Sequence, residues 1–190
     1  MADVLLFHHA LGLTDGLRAF GDELRAAGHW VTAPDLYDGR TFSTIDDGVA
    51  YAQQLGFETI MHAGAEVADG LSSDLVYAGF SLGVVPAQRL AQQRPGVRGA
   101  LLYHAAIPLG EFGDTWPAEV PMQVHVMAED ALGDVEEGRE LVADAGGELF
   151  LYDGAAHLFT DRSWEEHDPQ AAALVMERTL SFLERVDRGG

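Results

Sequence analysis

Apolar and polar positions alternate along this chain with two different periods. Leucine-rich and β-branched runs, typical of strands buried on both faces, occur near residues 3–8, 29–33, 74–79, 98–104, 121–127 and 147–152. Between these runs the apolar residues recur at helical spacing, which predicts helices near residues 15–28, 44–56, 57–70, 82–94, 134–145 and 168–187. This alternation predicts one α/β domain over residues 1–190, with about six mostly parallel strands and helices on both faces of the sheet.

Composition and charge narrow the range of partners. Apolar residues make up 47% of the 190 residues, as in ordinary globular proteins. The 31 acidic residues outnumber the 11 basic residues, all arginine, and the net charge of −20 disfavours binding to nucleic acid or to an anionic membrane. Without cysteine, the chain has no disulfide, zinc–thiolate site or thiol nucleophile. Residues 1–7 lack the features of a signal or membrane-spanning segment, so we expect a cytoplasmic protein. We expect it to be a monomer or a homodimer.

The most informative motif is Gly79-Phe80-Ser81-Leu82-Gly83, which lies between a predicted strand and a predicted helix. A serine on a sharp strand-to-helix turn needs small residues two positions to either side, because the strand and the helix approach closely there. Its hydroxyl then stands clear of the sheet, beside N–H groups that can stabilise an oxyanion. Since the chain contains 22 glycines, the alternative is a chance match at an ordinary turn. The flanking strand and helix favour a nucleophilic Ser81.

A serine nucleophile requires a base, and that base requires a carboxylate to orient it. Where such a turn carries a catalytic serine, the acid and then the histidine follow it along the chain. Only His157 and His167 follow every candidate acid. His157 comes after the last predicted strand among small residues, whereas His167 lies in a charged segment typical of a surface. The sequence therefore favours His157 as the base.

Three carboxylates, Glu129, Asp130 and Asp134, follow the fifth predicted strand. Functional residues of parallel sheets gather at the carboxyl ends of the strands, and Asp130 is the best placed of the three. Asp134 and Glu129 remain alternatives, and in so acidic a chain each is also explained as a solvated surface group. We expect one of the three to be buried beside His157.

The segment His8-His9-Ala10-Leu11-Gly12 follows the first predicted strand. It is expected to supply an oxyanion donor that acts together with the N–H of Leu82. Adjacent histidines also suggest a metal site. Neighbouring side chains on an extended chain point in opposite directions, however, and no nearby acid or cysteine completes a ligand set. We therefore expect no metal.

Candidate substrate contacts are fewer and weaker. Arg40 could pair with a substrate carboxylate through its guanidinium, although an isolated arginine is usually solvated. Tyr37, His104 and Trp116 are candidates to line the pocket, with core or lid packing as the alternative. Residues 104–120 contain no clear element, and long loops of this kind often border a site.

Four segments together resemble the dienelactone hydrolase family of α/β-hydrolases. They are residues 4–12, Ala33-Pro34-Asp35-Leu36-Tyr37, the serine motif, and Tyr152-Asp153-Gly154-Ala155-Ala156-His157-Leu158-Phe159. The resemblance covers nearly the whole chain and implies the α/β-hydrolase fold without a cofactor. Carried over by position, it implies a triad of Ser81, Asp130 and His157, with oxyanion donors at the N–H groups of Ala10 and Leu82.

Members of this family open an enol-lactone ring, and many relatives cleave other small esters. This chain departs from the best-known members in two ways: Ser81 replaces a cysteine nucleophile, and His9 stands where they carry a glutamate that contacts the thiol. His9 is therefore also a candidate substrate contact. We expect hydrolysis of a small-molecule ester or lactone. The alternatives are a general carboxylesterase or thioesterase, and a ligand-binding domain that has lost the chemistry.

Overall fold

A sheet of six parallel strands forms the centre of the structure, a computed structural model that describes residues 1–188. The strands are β1 (Asp3–Phe7), β2 (Trp30–Thr32), β3 (Leu75–Phe80), β4 (Gly99–Tyr103), β5 (Met122–Met127) and β6 (Glu148–Tyr152). Their order across the sheet is β2-β1-β3-β4-β5-β6, and every neighbouring pair is parallel. The strand that precedes Ser81 is therefore central, with β1 on one side and β4 on the other.

Residues 1–188 also contain six helices. They are α1 (Asp15–Ala26), α2 (Ile45–Leu55), α3 (Phe57–Asp69), α4 (Val84–Gln93), α5 (Val135–Ala145) and α6 (Pro169–Arg188). Single 3₁₀ turns occur at Ser81–Gly83 and Leu109–Glu111. All predicted strands and helices are present, with ends shifted by one or two residues. The predicted α/β architecture, with six strands and helices on both faces of the sheet, is thus confirmed.

Alternate residues of the inner strands contribute to cores on opposite faces of the sheet. In β1, Val4 and Leu6 join a cluster formed with α1 and α6, whereas Leu5 and Phe7 join a cluster formed with α3, α4 and α5. Central strands β3, β4 and β5 are buried along their whole length. Such two-sided burial explains why these strands read as continuous apolar runs in the sequence.

The loop of residues 104–120 is attached to α4 by glutamine side chains. Gln88 donates to the carbonyl of Ile107 at 2.7 Å and accepts from its N–H at 3.0 Å. Gln92 and Gln93, one turn further along α4, donate to other carbonyls of the same loop. The loop is thus held against the helix that begins at the serine turn.

None of the helices within residues 1–188 has the length and apolar character needed to cross a lipid bilayer.

Candidate active site

The backbone turns sharply where β3 meets the helical segment that follows it. Ser81 has φ +49°, in the left-handed region that side chains rarely adopt. A Cβ on Gly79 would lie 2.2 Å from the carbonyl oxygen of Gly83, and a Cβ on Gly83 would lie 2.4 Å from that of Phe7. Both neighbours are backbone atoms, which cannot move aside. The two glycines are therefore required by the close approach of strand and helix that the serine motif predicts.

Three side chains from different loops meet at this turn. The Oγ of Ser81 is 2.8 Å from the Nε2 of His157, whose Nδ1 is 2.7 Å from an oxygen of Asp130. A carboxylate only accepts hydrogen bonds, so Nδ1 carries the proton and Nε2 is left to accept from the serine hydroxyl. Asp130 also accepts from the N–H of Leu132 at 2.9 Å, which fixes the carboxylate in the loop after β5. This is the geometry needed to remove a proton from Ser81.

The structure places the other candidates elsewhere. Glu129 and Asp134 are exposed, and Asp134 stands at the start of α5. The ring of His167 donates to the carbonyl of Phe159 at 2.8 Å, instead of facing the serine. Of the three carboxylates considered from the sequence, Asp130 is the one in contact with His157.

The loop after β1 forms a tight turn beside Ser81. The N–H of Gly12 donates to the carbonyl of His9 at 3.0 Å, and Ala10 packs so closely on α2 that a Cβ on Gly48 would lie 2.2 Å from its carbonyl oxygen. Among the loop and turn hydrogen bonds of residues 1–188, none is donated by the N–H of Ala10 or Leu82. Both groups are therefore available as hydrogen-bond donors.

The two adjacent histidines have separate partners. His8 donates through Nδ1 to the carbonyl of His9 at 2.8 Å and accepts from the N–H of Leu36 at 3.0 Å. Burial lowers the pKa of His8 to about 4, so its ring is neutral. His9 instead contacts Asp161 through Nε2, at 2.8 Å. Within residues 1–188 no three histidine or carboxylate side chains are grouped in a way that could hold a metal ion.

Asp161 was not identified from the sequence, where one more carboxylate in an acidic chain carries no distinguishing signal. It is buried and accepts hydrogen bonds from His9, Thr14 and Ser163. Although burial alone would raise the pKa of Asp161, these hydrogen bonds hold it well below its usual range. An ionised carboxylate therefore lies buried in the loop that carries His157.

His104 directly follows β4 and is fully buried. Its Nε2 is 2.7 Å from the Oγ1 of Thr160, and its ring centroid is 5.9 Å from that of His157. Burial, followed by the nearby His157, His9 and His125, lowers the pKa of His104 well below its usual value, so this ring is neutral. With φ +66°, His104 also adopts a strained left-handed conformation.

The remaining sequence candidates differ in their surroundings. Tyr37 is 1% exposed and belongs to an apolar cluster that Leu82 joins, so its ring packs beneath the surface. Arg40 is exposed, with its guanidinium carbon 5.4 Å from the centroid of the Tyr51 ring in the same cluster. Trp116 is 8% exposed, packs in the core and donates to the carbonyl of residue 120 at 2.8 Å. This is the core packing that the sequence left open as the alternative to a place in the pocket lining.

A cavity of about 420 Å³ adjoins the loop after β1. Its lining includes Leu11, Thr14, Phe42, Asp161 and Trp164. A larger cavity, of about 720 Å³, lies at the amino ends of β1 and β3. That is the end of the sheet opposite to Ser81, and neither cavity has Ser81 or His157 in its lining.

Comparisons with known proteins agree with this architecture. The family described as the dienelactone hydrolase family matches residues 2–187. A dienelactone hydrolase-like promiscuous phosphotriesterase from metagenomic libraries superposes with a TM-score of 0.78 at 19% identity, covering 98% of this chain and 87% of its own. A dienelactone hydrolase from Anabaena variabilis gives 0.72 at 16% identity, covering 97% and 86%. The mouse α/β hydrolase domain-containing protein 10 gives 0.69 at 9% identity, covering 97% and 90%. No curated protein matches the chain at a significant level.

Proposed function

This chain belongs to the dienelactone hydrolase family, and we propose that it hydrolyses a small carboxylic ester or lactone with Ser81 as nucleophile. The observation that supports the proposal is the pair of hydrogen bonds joining Ser81, His157 and Asp130, at 2.8 and 2.7 Å. A serine hydroxyl is scarcely ionised at neutral pH, so attack requires a base at this distance.

In the first half of the proposed reaction, Ser81 attacks the carbonyl carbon while His157 accepts the hydroxyl proton at Nε2. Asp130 stabilises the resulting imidazolium through Nδ1. The carbonyl oxygen becomes an oxyanion, which receives hydrogen bonds from the N–H groups of Ala10 and Leu82. Collapse breaks the carbon–oxygen bond, and His157 returns the proton to the leaving alkoxide. In a lactone, the leaving alkoxide stays attached to the acyl group.

In the second half, a water molecule replaces the serine as nucleophile. His157 removes a proton from that water as it attacks the acyl carbon, and the same two N–H groups stabilise the second oxyanion. The bond to Ser81 then breaks, with the proton of His157 returning to Oγ. An ester gives a carboxylic acid and an alcohol, whereas a lactone gives a single acid that carries the released hydroxyl group.

The substrate proposed for this site is small. This size is proposed from the small esters and lactones that the family resemblance implies, since the cavity of about 420 Å³ beside the loop after β1 has neither Ser81 nor His157 in its lining. Arg40, exposed above Tyr51 in the cluster that includes Leu82, is proposed to pair with a carboxylate of the substrate. His9, His104 and Tyr37 are too deeply buried to contact substrate directly in this conformation.

The proposal is tested by labelling and turnover of the purified chain. A serine-directed phosphonate is expected to add once to the protein, at Ser81, as shown by mass spectrometry of the intact chain and its peptides. Ser81→Ala is expected to remain folded and to lose at least about a thousandfold in kcat on a small activated ester. A fully active Ser81→Ala variant that takes up no phosphonate would refute the proposal.

The same preparation separates the rival functions. A panel of enol-lactones, aryl esters and thioesters, compared by kcat/KM, distinguishes a lactone hydrolase from a general carboxylesterase or thioesterase. A non-catalytic ligand-binding domain would not hydrolyse esters. Ester hydrolysis that His157→Ala abolishes would instead identify an enzyme.

A further inference from the structure

Two buried histidines flank Ser81 at the carboxyl edge of the sheet. Continued beyond the strand ends, the register of β1 with β3 places His9 level with Ser81. The register of β3 with β4 places His104 level with Ser81 on the opposite side. Both histidines are 0% exposed. Each histidine therefore lies just past the end of a strand adjacent to β3, without reaching the surface.

The same two histidines bind consecutive residues of one loop. The Nε2 of His104 is 2.7 Å from the Oγ1 of Thr160, and the Nε2 of His9 is 2.8 Å from an oxygen of Asp161. His157 precedes Thr160 by three residues in that loop. Two side-chain hydrogen bonds thus connect the segment that carries His157 to strand ends on both sides of the serine.

The Asp161 end of this connection is held from several directions. Its carboxylate accepts from the hydroxyl of Thr14 and from both the N–H and the hydroxyl of Ser163. A Cβ on Gly16 would lie only 1.6 Å from one of its oxygens, so α1 packs directly against it. The carboxylate therefore has little freedom to move, and whatever it anchors is fixed relative to the sheet.

We propose that His9 and His104 are positioning residues that hold the loop carrying His157, an inference that rests on the proposed function. We refer to the two hydrogen bonds, His104–Thr160 and His9–Asp161, as the histidine clamp. Asp130 orients the ring of His157 through Nδ1, whereas the clamp fixes the backbone from which that ring extends. Because a displacement of about 1 Å can cost about a hundredfold in rate, a fixed loop is needed to keep Nε2 within reach of Ser81.

The first test removes one arm of the clamp with little change in volume. Thr160→Val replaces the hydroxyl by a methyl group, and Thr160→Ser retains the hydroxyl. The fraction of competent enzyme is measured by titration with a serine-directed phosphonate, and kcat is expressed per titrated site. We expect Thr160→Val to lower this kcat by about tenfold or more with KM changed less than about twofold, and Thr160→Ser to restore most of it.

A matched control separates positioning from general stability. Thr179 is also fully buried, and its Oγ1 is 2.8 Å from the hydroxyl of Tyr103 on the α6 side of the sheet. Thr179→Val makes the same chemical change at a hydrogen bond of nearly the same length. We expect it to lower the melting temperature about as much as Thr160→Val does, while kcat per titrated site stays within about twofold of the unmodified protein.

The second arm is tested at His9. His9→Leu removes the donor to Asp161, whereas His9→Gln keeps an N–H donor. We expect His9→Leu to lower kcat per titrated site and His9→Gln to recover part of the loss. Should His9→Leu destabilise the fold too far for assay, the Thr160 pair alone decides the question.

The possible outcomes distinguish this inference from the proposed function. If the unmodified protein neither reacts with the phosphonate nor hydrolyses esters, the proposed function fails. If it does both, and Thr160→Val is as fast per titrated site as Thr179→Val, the clamp has no positioning role and the inference is overturned. A selective loss in Thr160→Val, recovered in Thr160→Ser, supports it.

Discussion

Replacing Asp130 with asparagine tests the orientation of the proposed base at almost constant volume. One oxygen of Asp130 accepts from His157 at 2.7 Å and the other accepts from the N–H of Leu132 at 2.9 Å. There is little room to rotate, since a Cβ on Gly133 would lie 2.7 Å from the first oxygen. In Asp130→Asn the amide oxygen keeps the Leu132 bond, so the NH₂ group faces His157.

An NH₂ group donates, so Nδ1 of His157 must accept and its proton must move to Nε2. That is the wrong tautomer, because Nε2–H cannot take the proton of Ser81. The corresponding substitution in a well-studied serine protease lowers kcat by about 10⁴-fold, which corresponds to about 5 kcal/mol of lost transition-state stabilisation. We expect a loss of similar size, with KM changed little.

The assay is spectrophotometric hydrolysis of an activated aryl ester, with thermal unfolding measured on the same samples. Glu129→Gln and Asp134→Asn are matched controls, since both carboxylates are exposed and Asp134 makes no capping bond to α5. Each control is expected to keep kcat within about twofold, as surface substitutions usually have small effects. If Asp130→Asn keeps kcat within about tenfold, or if either control loses as much as it does, the assignment of Asp130 is wrong.

Three further predictions concern the turn, the pH dependence of stability and the long loop. Gly83→Ala would place a Cβ 2.4 Å from a carbonyl oxygen at the end of β1, so we expect loss of both ester hydrolysis and thermal stability; an active, stable variant would contradict this. Burial lowers the pKa of His8 to about 4 and that of His125 to about 3. Both rings are therefore neutral in the folded protein and take up protons on unfolding, so stability is full above about pH 6.5 and falls towards pH 4, by up to about 3 kcal/mol per histidine. Urea unfolding at pH 7.5 and pH 5 measures this, and equal stabilities would disprove it. Gln88→Ala would remove the partner of the partly buried N–H and carbonyl of Ile107, and urea unfolding should show a cost of about 1–3 kcal/mol for the two lost hydrogen bonds; no change would mean that the loop is held by other contacts.

Local patterns were sufficient to predict where each strand and helix of residues 1–188 lies along the chain and which of the two it is. Two-sided burial makes β3, β4 and β5 uninterrupted apolar runs, and the glycines at 79 and 83 mark a turn that few other residues can form. The predicted ends of these elements were less accurate. The helix predicted to begin near residue 82 begins at Val84, because residues 81–83 form a 3₁₀ turn. Such ends depend on how the strand and the helix pack against each other.

The sequence by itself determined the fold class, the serine turn and a short set of candidate partners, because hydrophobic period and glycine spacing are local properties. Only the tertiary structure decided that Asp130, and not Glu129 or Asp134, meets His157, and that Trp116 packs in the core. The bonds of His9 and His104 to Asp161 and Thr160 also appeared only there. These contacts join residues far apart in the chain. The loop conformations that bring the residues together follow from packing, which produces no periodic pattern in the sequence.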